Sequence, residues 1–139
     1  MASPATPKCV VLDASAVMTF FLNRPGAEKV EELLDDAAGG TCELLMSVVN
    51  WGEVYYSVWR EAGAATAQKI VAGIAQLPID LLPATYELTK LAAELHAQHK
   101  LPYADCFAAA LAAQRNAPVA TSDKDFARVE NHVRILWTT

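Results

Sequence analysis

Short apolar runs alternate along the chain with longer segments in which apolar residues recur at helical spacing. The short runs predict five strands, at residues 9–12, 42–46, 79–82, 119–121 and 133–136. The longer segments predict helices at residues 15–22, 27–38, 50–61, 64–76, 84–99, 103–115 and, as a short one, 124–129. Proline and glycine stand at several of the breaks, as is typical of connecting loops.

The alternation of strands and helices predicts how the chain is organised. Strands separated by helices are joined by crossover connections, which favour a mainly parallel sheet covered on both faces. We therefore predict an α/β fold, a three-layer α/β/α sandwich formed as one domain by residues 1–139, with residues 1–8 as a loose tail. In such sheets, ligand sites lie beyond the carboxyl ends of the strands.

Composition narrows the class of protein. Hydrophobic residues make up 53% of the 139 residues and charged residues 19%, which favours a folded globular protein over a disordered one. No apolar run approaches the roughly 20 residues that span a bilayer, so we expect no membrane partner. The three cysteines are isolated from one another, which favours a reducing compartment and a cytoplasmic protein. The net charge of −5 counts against tight non-specific binding of nucleic acid.

Four acidic residues occupy comparable positions in the predicted fold. Asp13 and Asp123 come just after strands, whereas Glu53 and Asp105 lie in the first turns of helices. Because the carboxyl ends of parallel strands meet at one edge, we expect these four side chains to lie close together there.

Each acid also has a more ordinary interpretation at a helix start. Asp13 is placed to cap the first helix. Asn50 and Glu53 have the spacing of a capping box, and the same spacing separates Ser122 from Asp125. An acid in the first turn of any helix complements the helix dipole. Taken one at a time, these interpretations stay open.

The neighbours of the four acids favour a shared metal site. Three and four residues after each of these acids, where a helical partner would stand, the sequence has no lysine or arginine. The helix that carries Asp105 is apolar on almost every side, which predicts that it is buried. Unpaired carboxylates that converge on one edge repel each other, and a divalent cation relieves that repulsion. Ligand sets made only of oxygen suit a hard ion such as Mg²⁺ or Mn²⁺ rather than Zn²⁺.

Four sequence blocks resemble a known family. The blocks "VVLDASAV", "SVVNWGEVYY", "LPYADCFAAALA" and "ATSDKDF" occur in the order and context of the PIN-domain nucleases. They are most similar to the VapC-type toxins of bacterial type II toxin–antitoxin systems, and the resemblance covers nearly the whole chain. It implies a metal-dependent endoribonuclease that uses Mg²⁺, with Mn²⁺ as a substitute. It also implies an RNA substrate, a homodimer and a cognate small antitoxin protein of the VapB type.

The resemblance also assigns roles to individual residues. It implies that the catalytic, metal-binding acids are Asp13, Glu53, Asp105 and Asp123, and that the supporting residues are Ser15, Thr121 and Asp125. Among these, Asp13 and Asp105 are the first choice for direct metal ligands. A metal-bound water would then attack the RNA phosphodiester while the cation offsets the charge that builds on the phosphate oxygens.

The positively charged side chains are scattered, so the sequence does not rank them as RNA contacts. The candidates are Arg24, Arg60, Lys100, Arg115 and Lys124. His96 and His99 form an H-x-x-H pair near the end of a predicted helix, and no third ligand lies nearby. We interpret this pair as a solvated helix end, where histidine suits the negative end of the dipole.

The segment "VYYSVW" after Glu53 is rich in aromatic residues. We interpret Val54 and Val58 as core residues. We expect one or more of Tyr55, Tyr56 and Trp59 to be exposed and to serve a dimer or antitoxin surface. The resemblance implies that an antitoxin helix wraps this region.

Two other functions compete with the nuclease. An aspartyl phosphohydrolase on a similar sheet would form a phospho-aspartate and carry a second acid two residues after the first. The residue two after Asp13 is Ser15, which argues against that metal-dependent phosphohydrolase. A catalytically silent PIN-like interaction module is the third possibility, and the intact set of acids argues against it.

Overall fold

The computed structural model describes residues 7–139 and contains one five-stranded sheet. The strands are β1 (Cys9–Leu12), β2 (Glu43–Ser47), β3 (Ile79–Leu82), β4 (Val119–Thr121) and β5 (Ile135–Trp137). Every pairing between them is parallel, and their order in the sheet is β3-β2-β1-β4-β5. The mainly parallel sheet that the sequence predicts is therefore parallel in every pair.

Helices connect the strands and cover both faces of the sheet. They are α1 (Ala14–Phe21), α2 (Ala27–Ala38), α3 (Val48–Ala62), α4 (Ala64–Ile74), α5 (Tyr86–Gln98) and α6 (Tyr103–Arg115), followed by a 3₁₀ helix (Lys124–Val129). The three-layer α/β/α sandwich predicted from the sequence is confirmed. Within residues 7–139, no helix is long and apolar enough to cross a membrane.

Alternating residues of the central strand feed two separate apolar cores. Val10 and Leu12 pack with α1 to α4 on one face, whereas Val11 packs with α5, α6 and the 3₁₀ helix on the other. These three side chains are fully buried. A strand that is buried on both faces has a continuous apolar sequence, and this is why β1 could be predicted from the sequence.

Helix α6 is buried over most of its length. Eight of its thirteen residues, from Asp105 to Ala112, are buried, and five of those eight are alanine or cysteine. Small side chains let this helix pack closely between the sheet and α5. Its apolar sequence had predicted that burial, and the prediction is confirmed.

Several predicted boundaries are wrong by one or two residues, and local capping explains two of the largest differences. Helix α3 begins at Val48 rather than at Asn50, because Ser47 caps it and accepts a hydrogen bond from Val49 N at 3.2 Å. Helix α5 begins at Tyr86 rather than at residue 84, because Thr85 provides the cap. The last strand lies two residues later than predicted at its start.

Two residues of the predicted amino-terminal tail, Pro7 and Lys8, are among those that the structure describes. Residues 1–6 of the predicted tail lie outside the described residues. Lys8 already pairs with strand β2, since its carbonyl oxygen accepts a hydrogen bond from Glu43 N at 2.8 Å.

Candidate active site

The centre of the sheet is a topological switch point. From β1 the chain proceeds through β2 to β3 on one side, and it then crosses to place β4 on the other side of β1. Strands β1 and β4 pair with Leu12 beside Ala120, so their carboxyl ends open next to each other. Asp13 follows β1 directly and Asp123 follows β4 by two residues. A crevice at the carboxyl ends of strands at such a point is where open α/β sheets bind ligands.

Asp13 is fully buried and hydrogen-bonded on both carboxylate oxygens. Its Oδ1 accepts from Ala16 N at 2.8 Å, which makes Asp13 the cap of α1, and from the Ser15 hydroxyl at 2.8 Å. Its Oδ2 accepts from the Thr121 hydroxyl at 2.5 Å. Burial raises the pKa of Asp13 to about 6, although the three hydrogen bonds favour the ionised form and oppose that rise.

Two hydroxyl groups join the loop after β1 to the loop after β4. The oxygens of Ser15 and Thr121 lie 3.1 Å apart. Ser122 N donates to the Ser15 hydroxyl at 3.1 Å, and Asp123 N donates to the Thr121 hydroxyl at 2.9 Å. These bonds fix the position of Asp123 relative to Asp13.

Asp105 is 5% exposed in the first turn of α6, and it carries the largest electrostatic perturbation in the site. Burial raises the pKa of Asp105 to about 8, and the charges of Glu53, Asp123 and Asp13 act in the same direction. A side-chain hydrogen bond between Asp105 and Asp123 also favours the protonated form. A proton or a bound cation would relieve this unfavourable environment of the Asp105 carboxylate.

Glu53 lies on α3 and faces the same crevice. Burial and the charge of Asp123 raise the pKa of Glu53, whereas a hydrogen bond from Asn50 lowers it. The Glu53 Oε1 atom is buried and has no hydrogen-bond partner among residues 7–139. Burying a carboxylate oxygen without a partner costs free energy, so this atom is in place to coordinate a cation or to accept a hydrogen bond from a bound molecule.

Asn50 connects the two helices that carry Glu53 and Asp105. It is fully buried, and its Nδ2 donates to the carbonyl oxygen of Ala104 at 2.9 Å. Ala104 directly precedes Asp105, so the amide of Asn50 ties α3 to the start of α6. The Asn50 Oδ1 atom is also buried without a partner within the described chain.

The carboxylates form a cluster with the composition of a hard-metal site. One oxygen each from Asp105, Asp123 and Asp125 lies within 4.8 Å of the others. Among the ion pairs of residues 7–139, only Asp125 in this cluster has a cationic partner, Arg128, at 3.2 Å. The donors are carboxylate oxygens, and Glu53 Oε1 is an unpartnered one beside them. This donor set fits Mg²⁺ or Mn²⁺ and contains no thiolate or imidazole of the kind that zinc sites use.

Comparisons with known proteins agree with this geometry. A family model described as the PIN domain matches residues 10–131. The chain belongs to the PIN domain family. That membership confirms the family resemblance of the four sequence blocks.

Solved structures of low sequence identity share the PIN domain fold. VapBC2 from Rickettsia felis, bound to a DNA fragment from its promoter, has a TM-score of 0.71 at 15% identity, covering 93% of this chain and 98% of that one. VapC20 from Mycobacterium tuberculosis, a sarcin-ricin loop cleaving toxin, has a TM-score of 0.70 at 16% identity, covering 85% and 92%. DNA-bound VapBC from Salmonella typhimurium has a TM-score of 0.71 at 17% identity, covering 94% and 98%. Comparison with curated protein sequences finds no match.

The PIN domain brings all seven predicted site residues to one edge of its sheet. Hydrogen bonds link Asp13, Ser15, Thr121, Asp123 and Asp125. Electrostatic interactions connect Asp105 and Glu53 to the same group. The ordinary interpretation of Asp13 as a helix cap is also correct, so the same carboxylate caps α1 and faces the cluster.

Both proposed capping boxes are wrong. Ser47, not Asn50, caps α3, and Asp123, not Ser122, caps the 3₁₀ helix by accepting from Asp125 N at 2.9 Å. Sequence reasoning therefore missed Asn50 as a residue of the PIN site. A signal was present, because Asn50 shares the i, i+4, i+8 spacing of the buried residues Val54 and Val58 on α3.

Sequence reasoning also missed Arg128. Its spacing of three residues from Asp125 on a predicted helix is the signal that was available. Only the folded PIN domain reveals its second contact, a hydrogen bond from Nη1 to the carbonyl oxygen of Lys100 at 2.6 Å.

Proposed function

We propose that this PIN domain protein is a metal-dependent endoribonuclease and the toxin of a toxin–antitoxin pair. The observation that carries the proposal is the convergence of five carboxylates at the switch point of a PIN fold, with one arginine as their only ion-pair partner within residues 7–139. Structural carboxylates would be paired with cations, whereas these are arranged to receive one. Mg²⁺ is the proposed cofactor, with Mn²⁺ as a substitute, and the cytoplasm is the proposed location.

The proposed metal ligands are Asp13, Glu53, Asp105 and Asp123, with Asp125 in support. A bound divalent cation would lower the pKa of a water ligand and offset the charge on the phosphate that is attacked. The reaction that these residues would support is hydrolysis of a phosphodiester, in which water adds to phosphorus, one bridging P–O bond breaks and the leaving oxygen takes a proton.

The protein's own part in this reaction is to hold its carboxylates in place. Ser15 and Thr121 donate to Asp13 and favour its ionised form, which keeps it available as a ligand. Asn50 fixes Glu53 relative to the start of α6. Such supporting bonds are a large part of metal affinity in proteins.

Asp13 is poorly suited to covalent catalysis. Both of its carboxylate oxygens accept hydrogen bonds, and the side chain is 1% exposed. Ser15, which stands where a phosphohydrolase of the phospho-aspartate type needs its second acid, donates to Asp13 instead. These contacts favour hydrolysis by water over a phospho-aspartate intermediate.

The proposed partners are a small antitoxin of the VapB type and a second copy of the chain. Several structural neighbours are VapBC toxin–antitoxin complexes, which supports this role. Tyr56 and Trp59 on α3 are each 47% exposed, while Val54 and Val58 beside them are buried. The exposed aromatic rings are therefore available to a dimer or antitoxin surface.

The test is to incubate the purified chain, freed of any partner, with total cellular RNA and Mg²⁺ or Mn²⁺, and to map new 5′ ends. We expect discrete cuts that disappear with EDTA and with Asp105→Asn. Asp35→Asn is the matched control, because Asp35 is an exposed aspartate on α2. We expect this variant to cut RNA at the same positions as the wild type. Cuts that persist in EDTA would contradict the mechanism, as would an absence of both cuts and Mn²⁺ binding in calorimetry.

A further inference from the structure

An acidic cluster repels RNA unless cations nearby offset its charge. RNA is a polyanion whose binding is dominated by phosphate contacts with lysine and arginine. This chain has a net charge of −5, so it has no general attraction for RNA. The positions of individual cations relative to the site therefore decide where an RNA strand binds.

Several cations are engaged on the other side of the sheet. Arg24 forms two hydrogen bonds with the Glu61 carboxylate at 2.9 Å. Lys29 lies 3.9 Å from Glu32, and Arg60 lies over an aromatic ring of its own helix. These residues belong to or follow α1, α2 and α3, which cover the face opposite α5 and α6.

Arg128 is the cation that lies directly beside the carboxylate cluster. Its Nη1 donates to the carbonyl oxygen of Lys100 at 2.6 Å and lies 3.2 Å from Asp125 Oδ1. Both contacts use Nη1, and within residues 7–139 the side chain of Arg128 donates no hydrogen bond through Nη2 or Nε. The side chain is 49% exposed. The edge of the guanidinium that carries Nε and Nη2 is one of the two edges that can bind a phosphate through two parallel hydrogen bonds.

All three histidines of the sequence lie on the same flank. The rings of His99 and His132 are 4.8 Å apart, and the ring of His96 lies 5.4 Å from that of Tyr103. Lys100 follows His99 directly and is exposed. The interpretation of His96 and His99 as a solvated helix end is therefore incomplete, because the ring of His99 packs against that of His132, which follows the 3₁₀ helix in the sequence.

We propose that a basic flank, formed by Arg128, Lys100 and His132, binds the phosphates of the RNA strand beside the cleaved bond. Arg128 contacts the phosphate nearest the carboxylate cluster, because Asp125 and the Lys100 carbonyl hold its guanidinium there. Lys100 and the imidazole of His132, which are both exposed, continue the track away from the acids. This inference rests on the proposed function and assigns the substrate contacts that the sequence left unranked.

The test measures RNA binding separately from cleavage. The full chain carrying Asp105→Asn is titrated into a fluorescein-labelled single-stranded RNA of mixed sequence, and anisotropy is read over a series of KCl concentrations. Each lost phosphate contact makes the slope of log K against log[salt] shallower by about 0.7. We expect that loss, and roughly tenfold weaker binding, for Arg128→Gln, with Arg128→Lys restoring the slope but only part of the affinity.

Lys29→Gln is the matched control, since it removes one positive charge from the opposite face. Equal slopes for Arg128→Gln and Lys29→Gln, while the wild-type chain cuts total RNA, would overturn the basic flank and leave the proposed function standing. If the wild-type chain neither cuts nor binds RNA, the proposed function fails and the basic flank fails with it. Circular dichroism shows whether each variant is folded, so that a shallower salt dependence can be attributed to a lost phosphate contact rather than to unfolding.

Discussion

Replacing Asp105 by asparagine should make the metal-free protein more stable. The change removes a buried charge that burial, Glu53 and Asp123 all disfavour. The pKa of Asp105 rises from an ordinary 3.8 to about 8, so its folded form keeps a proton that the unfolded chain has lost. That difference corresponds to a cost of roughly 5–6 kcal/mol at high pH. Water entry and side-chain rearrangement relieve part of it, so we expect about 1–3 kcal/mol for the variant.

The pH dependence gives this prediction its sign. A carboxyl whose folded pKa is raised contributes its stability below the unfolded pKa and loses it as the pH rises through the folded pKa. The wild-type chain should therefore match Asp105→Asn near pH 4 and fall behind it progressively up to about pH 8. For a domain of this size, about 1–3 kcal/mol corresponds to roughly 3–10 °C in Tm.

Thermal melts in EDTA from pH 4 to pH 9, followed by circular dichroism, measure this effect. Saturating Mn²⁺ should raise the Tm of the wild type and reverse the order, because only the wild type binds the cation well. Asp35→Asn should show no such pH-dependent gap. A folded Asp105→Asn protein that melts at or below the wild-type temperature throughout this range in EDTA would refute the claim that the site stores electrostatic repulsion.

Three other changes test the site. Thr121→Val keeps the shape of the side chain but removes the hydroxyl that donates to Asp13, so Mn²⁺ affinity should fall about 10-fold or more in calorimetry; an unchanged affinity would remove Thr121 from the site. Mn²⁺ affinity of the wild type should rise with pH between about 6 and 8, where Asp13 and Asp105 lose their protons, and calorimetry in buffers of different ionisation enthalpy should detect proton release. Asn50→Leu leaves the Ala104 carbonyl without its donor and should lower the free energy of unfolding by about 1–3 kcal/mol in urea titrations, and Mn²⁺ affinity with it; full retention of both would mean that the amide positions nothing.

The sequence was most informative where one local rule decides the outcome. Strands β1, β3 and β4 have the predicted bounds, because each is a short, mainly apolar run between clear breaks. Helix α6 also has its predicted bounds, and its alanine-rich sequence indicated its burial. The edge position of Asp13 and Asp123 followed from parallel pairing alone.

The sequence was least informative where two local patterns compete or a contact is long-range. Ser47 and Asn50 are both good caps, and only the packing of α3 against α6 places Asn50 inside the protein. Arg128 reaches the carbonyl of Lys100, which lies 28 residues away, so no local pattern contains that contact. The same holds for the ranking of cations as RNA contacts, which depends on the face of the sheet that each one occupies.

The bonds that assemble the carboxylates have a consequence for how the protein is made. Thr121 donates to Asp13 across 108 residues, and Ser15 and Thr121 contact each other across 106. A ribosome-bound chain that has not yet released residues 119–125 lacks β4, Thr121 and two of the acids. Such nascent chains have α1 to α4 but no means of completing the centre, so the carboxylate cluster assembles only once residues 119–125 have left the ribosome.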